Sequence, residues 1–294
     1  MCRAFRRLGV PSVSTIVAPH RPPLSGRRRS ALLLSAAAVA AVAGVALLPW
    51  RVADIWSQGS GVNSTTLSAQ LNAAFVGYWN SGASGLGADL SHVVTYWQVF
   101  HITKAVAAAV LLTLLVVLGV RLWQLFARSE RPGARAAYAT LGVLGAPLAP
   151  MVLLILLANI QGAVAPLSSV LSFLDHGGSD PAVAQSLAQI GEALRTGALN
   201  APLTALVDDF RDYHAVLAVA ATVTGIAIIG TSIALLVIRS RRPRDQRRAR
   251  AVLAVVAVTI PALAFCFAVL ALANFSTTED TVPALAAFFG GDDL

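Results

Sequence analysis

Ten polar residues in this sequence have the side chains for chemistry and lie close to the edges of long apolar runs: His101, Lys104, Asn159, Gln161, Asp208, Asp209, Arg211, Asp212, His214 and Asn274. Imidazoles and carboxylates at such a boundary can bind a cation or move protons, and Lys104 and Arg211 can hold an anionic headgroup. Their spacing matches no metal-ligand pattern, so neither a metal nor a cofactor is expected. Asp208, Asp209 and Asp212 also read as the solvated face of a short helix, since Arg211 is adjacent to Asp212 rather than one turn away. His92 and His176 stand alone in loops, and His20 lies in a basic tail.

Other chemistries lack their parts. The glycines of residues 82–87 come without the strand, lysine or nucleophile that phosphate-binding and hydrolase motifs require. Two cysteines, Cys2 and Cys266, build neither a disulfide framework nor a Cys-based zinc site. No acidic, basic or histidine residue falls near the middle of an apolar run, where ion-coupled transporters place them.

The elements that carry these residues follow from composition. A chain of 294 residues that is 56% hydrophobic and 12% charged cannot cover a water-soluble globule. It contains five charge-poor apolar runs near the roughly 20 residues needed to cross a bilayer as a helix. The expected fold is an all-α integral membrane protein with five transmembrane helices at 30–50, 102–125, 136–161, 213–238 and 251–273. They are joined by a basic cytoplasmic tail (1–29), outer loop 1 (51–101), a basic turn (126–135), outer loop 2 (162–212), a second basic turn (239–250) and an acidic outer tail (274–294).

The first run is ambiguous. Arg27, Arg28 and Arg29 before Ser30-Ala31-Leu32 are similar to a twin-arginine export signal, and Ala41-Val42-Ala43 has a small-x-small form. The apolar run exceeds the roughly 7–15 residues of a signal h-region, which favours an uncleaved signal anchor. Cleavage would leave four helices.

Charge supplies the orientation. With the N-terminus inside, the inner segments carry +16 and the outer segments −8, which recovers the net +8. All three arginine blocks then fall on one side, as the positive-inside rule requires, and the C-terminus lies outside. Because the positive charge is split into blocks beside apolar runs, membrane orientation accounts for it and no nucleic-acid partner is expected. Of the 22 basic residues all but Lys104 are arginine, a composition that points to a GC-rich bacterial source.

Both outer loops contain helical stripes: Leu67, Leu71, Ala74, Phe75 and Tyr78 in the first, and Val183, Leu187, Ile190 and Leu194 after Ser179-Asp180-Pro181 in the second. A further short helix is expected from Pro202 to Tyr213. Trp50, Trp56, Trp79 and Trp97 lie on the outer side, where an aromatic belt at the interface is favoured over a packed cap.

The segment His101–Phe173 overlays His214–Phe288. Each opens with His before an apolar helix, turns through Arg-Ser-x-Arg-Pro, continues through a helix carrying a proline (Pro147; Pro261) and ending in Leu-Ala-Asn (Asn159; Asn274), and meets a later proline (Pro166; Pro283). Two tandem helical hairpins would produce this pattern, and so would two compositionally similar Ala/Leu/Val runs. If the repeat holds, His101 and His214 are equivalent, and Asn159 and Asn274 sit at one depth.

The expected function is that of a multi-pass plasma-membrane protein of a bacterial envelope, leaning non-enzymatic. Its outer cap would contact a partner protein, lipid or a second copy. The alternatives are a channel or facilitator with a polar path between the hairpins, and an interfacial enzyme using His101, His214 and Asp212.

Overall fold

The computed structural model describes residues 24–290, with the side chains of residues 24, 25, 27 and 28 left out. The basic tail up to residue 23, with Cys2 and His20, and the last four residues, with Asp292 and Asp293, lie outside the described residues. So do the side chains of Arg27 and Arg28 in the export-signal pattern.

Among the described residues there are helices and no strand. They are α1 (Leu24–Trp56), α2 (Leu67–Ser81), α3 (Gly87–Arg128), α4 (Pro132–Gly145), α5 (Leu148–Val164), α6 (Pro166–Val170) with a 3₁₀ turn at Leu171–Phe173, α7 (Pro181–Thr196), α8 (Ala201–Arg241), α9 (Arg247–Glu279) and α10 (Thr281–Gly290). Five helical stretches are long and apolar enough to cross a membrane: 29–56, 87–128, 132–164, 201–241 and 247–279. A helix suits such sequences because it satisfies every backbone N–H and C=O internally where no water is available. Their flanks stay apolar and uncovered: Ile226 on α8 and Phe265 and Leu272 on α9 are 68%, 70% and 69% exposed, an arrangement that needs a nonaqueous surround.

The long helices form a row. α1 packs along α3, α3 along α5, α5 more narrowly on α8, and α8 along α9. The third stretch breaks between Gly145 and Leu148, where Pro147 has no N–H to donate and its ring opposes the preceding turn. Pro49 and Pro261 lie inside α1 and α9 without ending them.

The segments flanking the apolar runs are more helical than their composition announced. α1 begins at Leu24, inside the segment expected to be tail, and α3 begins at Gly87, well before its apolar run. The expected short helix at 202–213 is the first part of α8 and continues into the apolar stretch, since no Gly or Pro separates Phe210 from Val216. Within the acidic tail, residues 274–290 are helical: α9 runs to Glu279 and α10 folds back against α7 and α8, burying Leu285 and Phe289.

The stripes of α2 and α7 point inward as their spacing requires. Leu67, Leu71, Phe75 and Tyr78, and Val183, Ile190 and Leu194, are buried. The start of α7 is set by Asp180, whose carboxylate accepts from the backbone N–H groups of Ala182 and Val183, with Pro181 at the first helical position. Gly197 ends it at φ 71°, a left-handed conformation that side chains resist.

These elements share one apolar core with the C-terminal end of α1, the N-terminal ends of α3 and α8, and with α6 and α10. Trp50, Trp79 and Trp97 belong to that core rather than to a belt. Trp79 and Trp97 are buried, and Trp50 lies with its ring centroid 4.3 Å from that of Phe100; only Trp56 is exposed. Tyr78 Oη donates to the Pro202 carbonyl (2.9 Å), Trp79 Nε1 to Gln189 Oε1 (2.7 Å) and Tyr96 Oη to Asp54 Oδ1 (2.9 Å), so the ring polar atoms cross between elements.

Candidate functional site

The ten candidate residues do not converge on one point. Four form two histidine–asparagine pairs of the same construction; Gln161 and Asp209 make separate bonds, Lys104 is half-buried, and Asp208, Arg211 and Asp212 are exposed.

In the first pair, His101 on α3 meets Asn159 on α5, with Nδ1 2.9 Å from Oδ1. Asn159 Nδ2 donates to the carbonyl of Ile155 at 2.7 Å, one turn back on its own helix. That bond settles the amide orientation, because a flipped amide would set two oxygens against each other. Oδ1 therefore faces the imidazole, Nδ1 carries the proton, and Nε2 presents its lone pair.

The second pair repeats this. His214 Nδ1 on α8 lies 2.8 Å from Asn274 Oδ1 on α9, and Asn274 Nδ2 donates to the Leu270 carbonyl at 2.8 Å. The aromatic surroundings also correspond. Trp97 and Phe100 present rings edge-on to His101 at 4.9 and 5.6 Å, and Phe210 and Tyr213 do so to His214 at 4.6 and 5.4 Å.

The pairs differ at Nε2. His101 Nε2 accepts from Ser169 Oγ on α6 at 2.8 Å, and Ser169 Oγ accepts from Trp97 Nε1 at 3.0 Å. Setting Pro166 on Pro283 puts Ser169 against Ala286, and Trp97 and Phe210 each lie four residues before their histidine, so the second copy's sequence has neither polar group at these positions. His101 is buried and His214 half-buried. Gly162 explains part of this: a Cβ there would stand 2.5 Å from His101 Nε2, so the ring lies directly against the backbone of α5.

The remaining candidates have separate roles. Gln161 Nε2 donates to the Tyr213 carbonyl at 3.0 Å and joins α5 to α8. Asp209, expected on a solvated face, is instead half-buried and accepts from the backbone N–H and hydroxyl of Ser168, at 2.7 and 2.6 Å. Burial pushes its carboxyl up from the ordinary range, and Asp212 adds to this, while the Ser168 bonds oppose it. Asp208, Arg211 and Asp212 are exposed. Lys104 Nζ sits 5.1 Å from the centroid of the Phe100 ring, a cation–π distance.

Ser168, Ser169 and Gly162 were not singled out from the sequence, and Trp97 was read there only as a belt residue. The overlay held the signal for Ser169, three residues after Pro166, where the second copy has alanine three residues after Pro283. Among the described residues, no group of three or more His, Cys, Asp or Glu could hold a metal ion. No known protein-family model, curated protein or solved structure matches the chain.

Proposed function

We propose that this is a multi-pass protein of the plasma membrane of a bacterial envelope. Its N-terminus would be cytoplasmic, its membrane part would be built around two tandem helical hairpins, and its outer segments would form a cap that contacts a partner protein or lipid. The observation that carries the reading is the shared apolar core of the outer segments, in which residues from α2, α7 and α10 pack on the outer ends of α3 and α8. Ordering segments this long costs conformational entropy that loose loops would avoid. A folded cap offers a fixed surface in return. The sidedness of the arginine blocks supports the orientation, and the matched His101–Asn159 and His214–Asn274 bonds support the tandem hairpins.

Two measurements test it. In a chain with both native cysteines replaced by serine, Asn80→Cys should react with an impermeant maleimide on intact cells, and Gly133→Cys only after permeabilisation; the reverse pattern overturns the orientation. Photo-crosslinkers at the exposed cap positions Ala73, Asn80 and Gln185 should trap a partner protein or lipid in native membranes. Capture of neither from any of the three counts against the cap as a contact surface.

A further inference from the structure

We infer that Ser169, His101 and Asn159 form a serine nucleophile site that accepts acyl groups from lipid esters at the outer membrane boundary. This goes beyond the cap reading and rests on it only for the side of the membrane.

Three side chains stand in the order an activated serine requires. The Ser169 hydroxyl lies 2.8 Å from His101 Nε2, and the opposite ring nitrogen lies 2.9 Å from Asn159 Oδ1. The Asn159 amide is locked by the Ile155 carbonyl, so Nδ1 holds the proton and Nε2 is a base aimed at the hydroxyl. This is the division of labour of nucleophile, base and orienting group, with an amide in the third place.

Trp97 Nε1–H donates to one lone pair of Ser169 Oγ, which turns the hydroxyl proton toward Nε2 and leaves the second lone pair for attack.

The second copy of the pair is an internal comparison. His214 and Asn274 make the same bond with Ala286 and Phe210 in the corresponding places, so the histidine–asparagine bond needs neither a serine nor a tryptophan to form. The hydroxyl and the indole N–H are additions peculiar to the first copy.

The surroundings select the substrate. Ser169 is half-buried beside Trp97, whose ring meets that of Phe173 at 4.9 Å, and Phe173 is 38% exposed. This is an apolar approach suited to an acyl chain. On the same helix as His101, Lys104 has no carboxylate partner among the described residues and can hold an anionic headgroup.

The step balances with groups in place. Oγ bonds to the ester carbonyl carbon as its proton passes to Nε2, and the carbonyl π pair moves onto oxygen. When that adduct collapses, the ester C–O bond breaks and the departing alkoxide takes the proton from Nε2. Water or a second hydroxyl compound then removes the acyl group by the same route, with Nε2 taking its proton and returning it to Oγ.

The test uses the full chain in native membrane vesicles and a fluorophosphonate probe, with which Oγ forms an O–P bond and fluoride leaves. The label should map to the peptide containing Ser169 and disappear in Ser169→Ala. It should form ~100-fold or more slowly in His101→Gln, the lower end of what a general base contributes, and at an unchanged rate in His214→Gln. No label at Ser169 in the folded wild-type chain overturns the inference, and so does equal labelling in His101→Gln. Should His101→Gln fail to fold, Ser169→Cys decides: its alkylation by iodoacetamide should have a pH midpoint well below the ~8.5 of a free thiol, and an ordinary midpoint overturns the inference.

Discussion

Gly162→Ala adds a single methyl group to α5, and ordinary helix propensity says it should help by up to about 1 kcal/mol. The structure reverses that sign. The new Cβ would lie 2.5, 2.6 and 2.7 Å from Nε2, Cε1 and Cδ2 of His101, whereas carbon contacts settle near 3.5–4.0 Å. The ring must retreat by roughly 1 Å, and it cannot do so while keeping bonds of 2.9 Å to Asn159 and 2.8 Å to Ser169. Overpacking costs about 1–3 kcal/mol. A buried polar group stripped of its partner adds about 1–3 kcal/mol, and Asn159 is buried. Less the propensity gain, the net loss is roughly 1–5 kcal/mol.

Gly225→Ala is the matched control. It lies on a long apolar helix, and its Cβ would meet Phe267 Cβ at 3.7 Å and the Ala264 carbonyl at 3.8 Å, ordinary contact distances. Equilibrium unfolding in detergent, followed by tryptophan fluorescence, should place Gly162→Ala clearly below wild type and Gly225→Ala at or above it. Equal midpoints for the two variants would refute the packing argument, because propensity alone would then govern both sites.

Tyr78→Phe should cost about 0.5–1.5 kcal/mol in the same assay by removing the bond from the Tyr78 hydroxyl to the Pro202 carbonyl. Burial, with a smaller contribution from Asp209, pushes the Tyr78 phenol up to about 12, so the absorbance change of tyrosinate from Tyr78 should appear only near that pH. Asn159→Ala should destabilise more than Asn274→Ala, since His101 is buried and His214 half-exposed to solvent or lipid; equal losses would mean that burial does not set the cost. At Asp175, the Ser179 hydroxyl and the Asp180 backbone N–H hold the carboxyl below its usual 3.8. A depressed pKa contributes order that is present above that usual value and is lost as pH falls through the folded value. Amide exchange at Gly177 and Asp180, corrected for intrinsic rates, should therefore accelerate only below about pH 4, and Asp175→Asn should remove the dependence.

Much of the architecture is a consequence of local sequence. A charge-free apolar run near 20 residues long has few options besides a helix, and the stripes of α2 and α7 had to find a common cover because each is apolar on one side. The break at Pro147 is a property of the proline ring itself. The spacing of the two His and two Asn residues was also legible, because 58 and 60 residues separate the partners of the pairs.

Other features depended on distances that no local pattern encodes. Whether Trp50, Trp79 and Trp97 face lipid or a core turns on where α2, α6 and α7 fold, since an indole suits either place. Asp209 reads as solvated until Ser168, 41 residues earlier, is set against it. The hydroxyl on His101 Nε2 comes from a five-residue helix, and the ring's position from the absence of a side chain at Gly162. By itself the sequence determined that the apolar runs are helices and set the matched placement of two imidazoles and two amides, because apolar runs and spacing act along the chain, whereas the helix ends were not legible. Only the tertiary structure decided which imidazole acquired a serine, because that required α3, α5 and α6 to meet within hydrogen-bond distance.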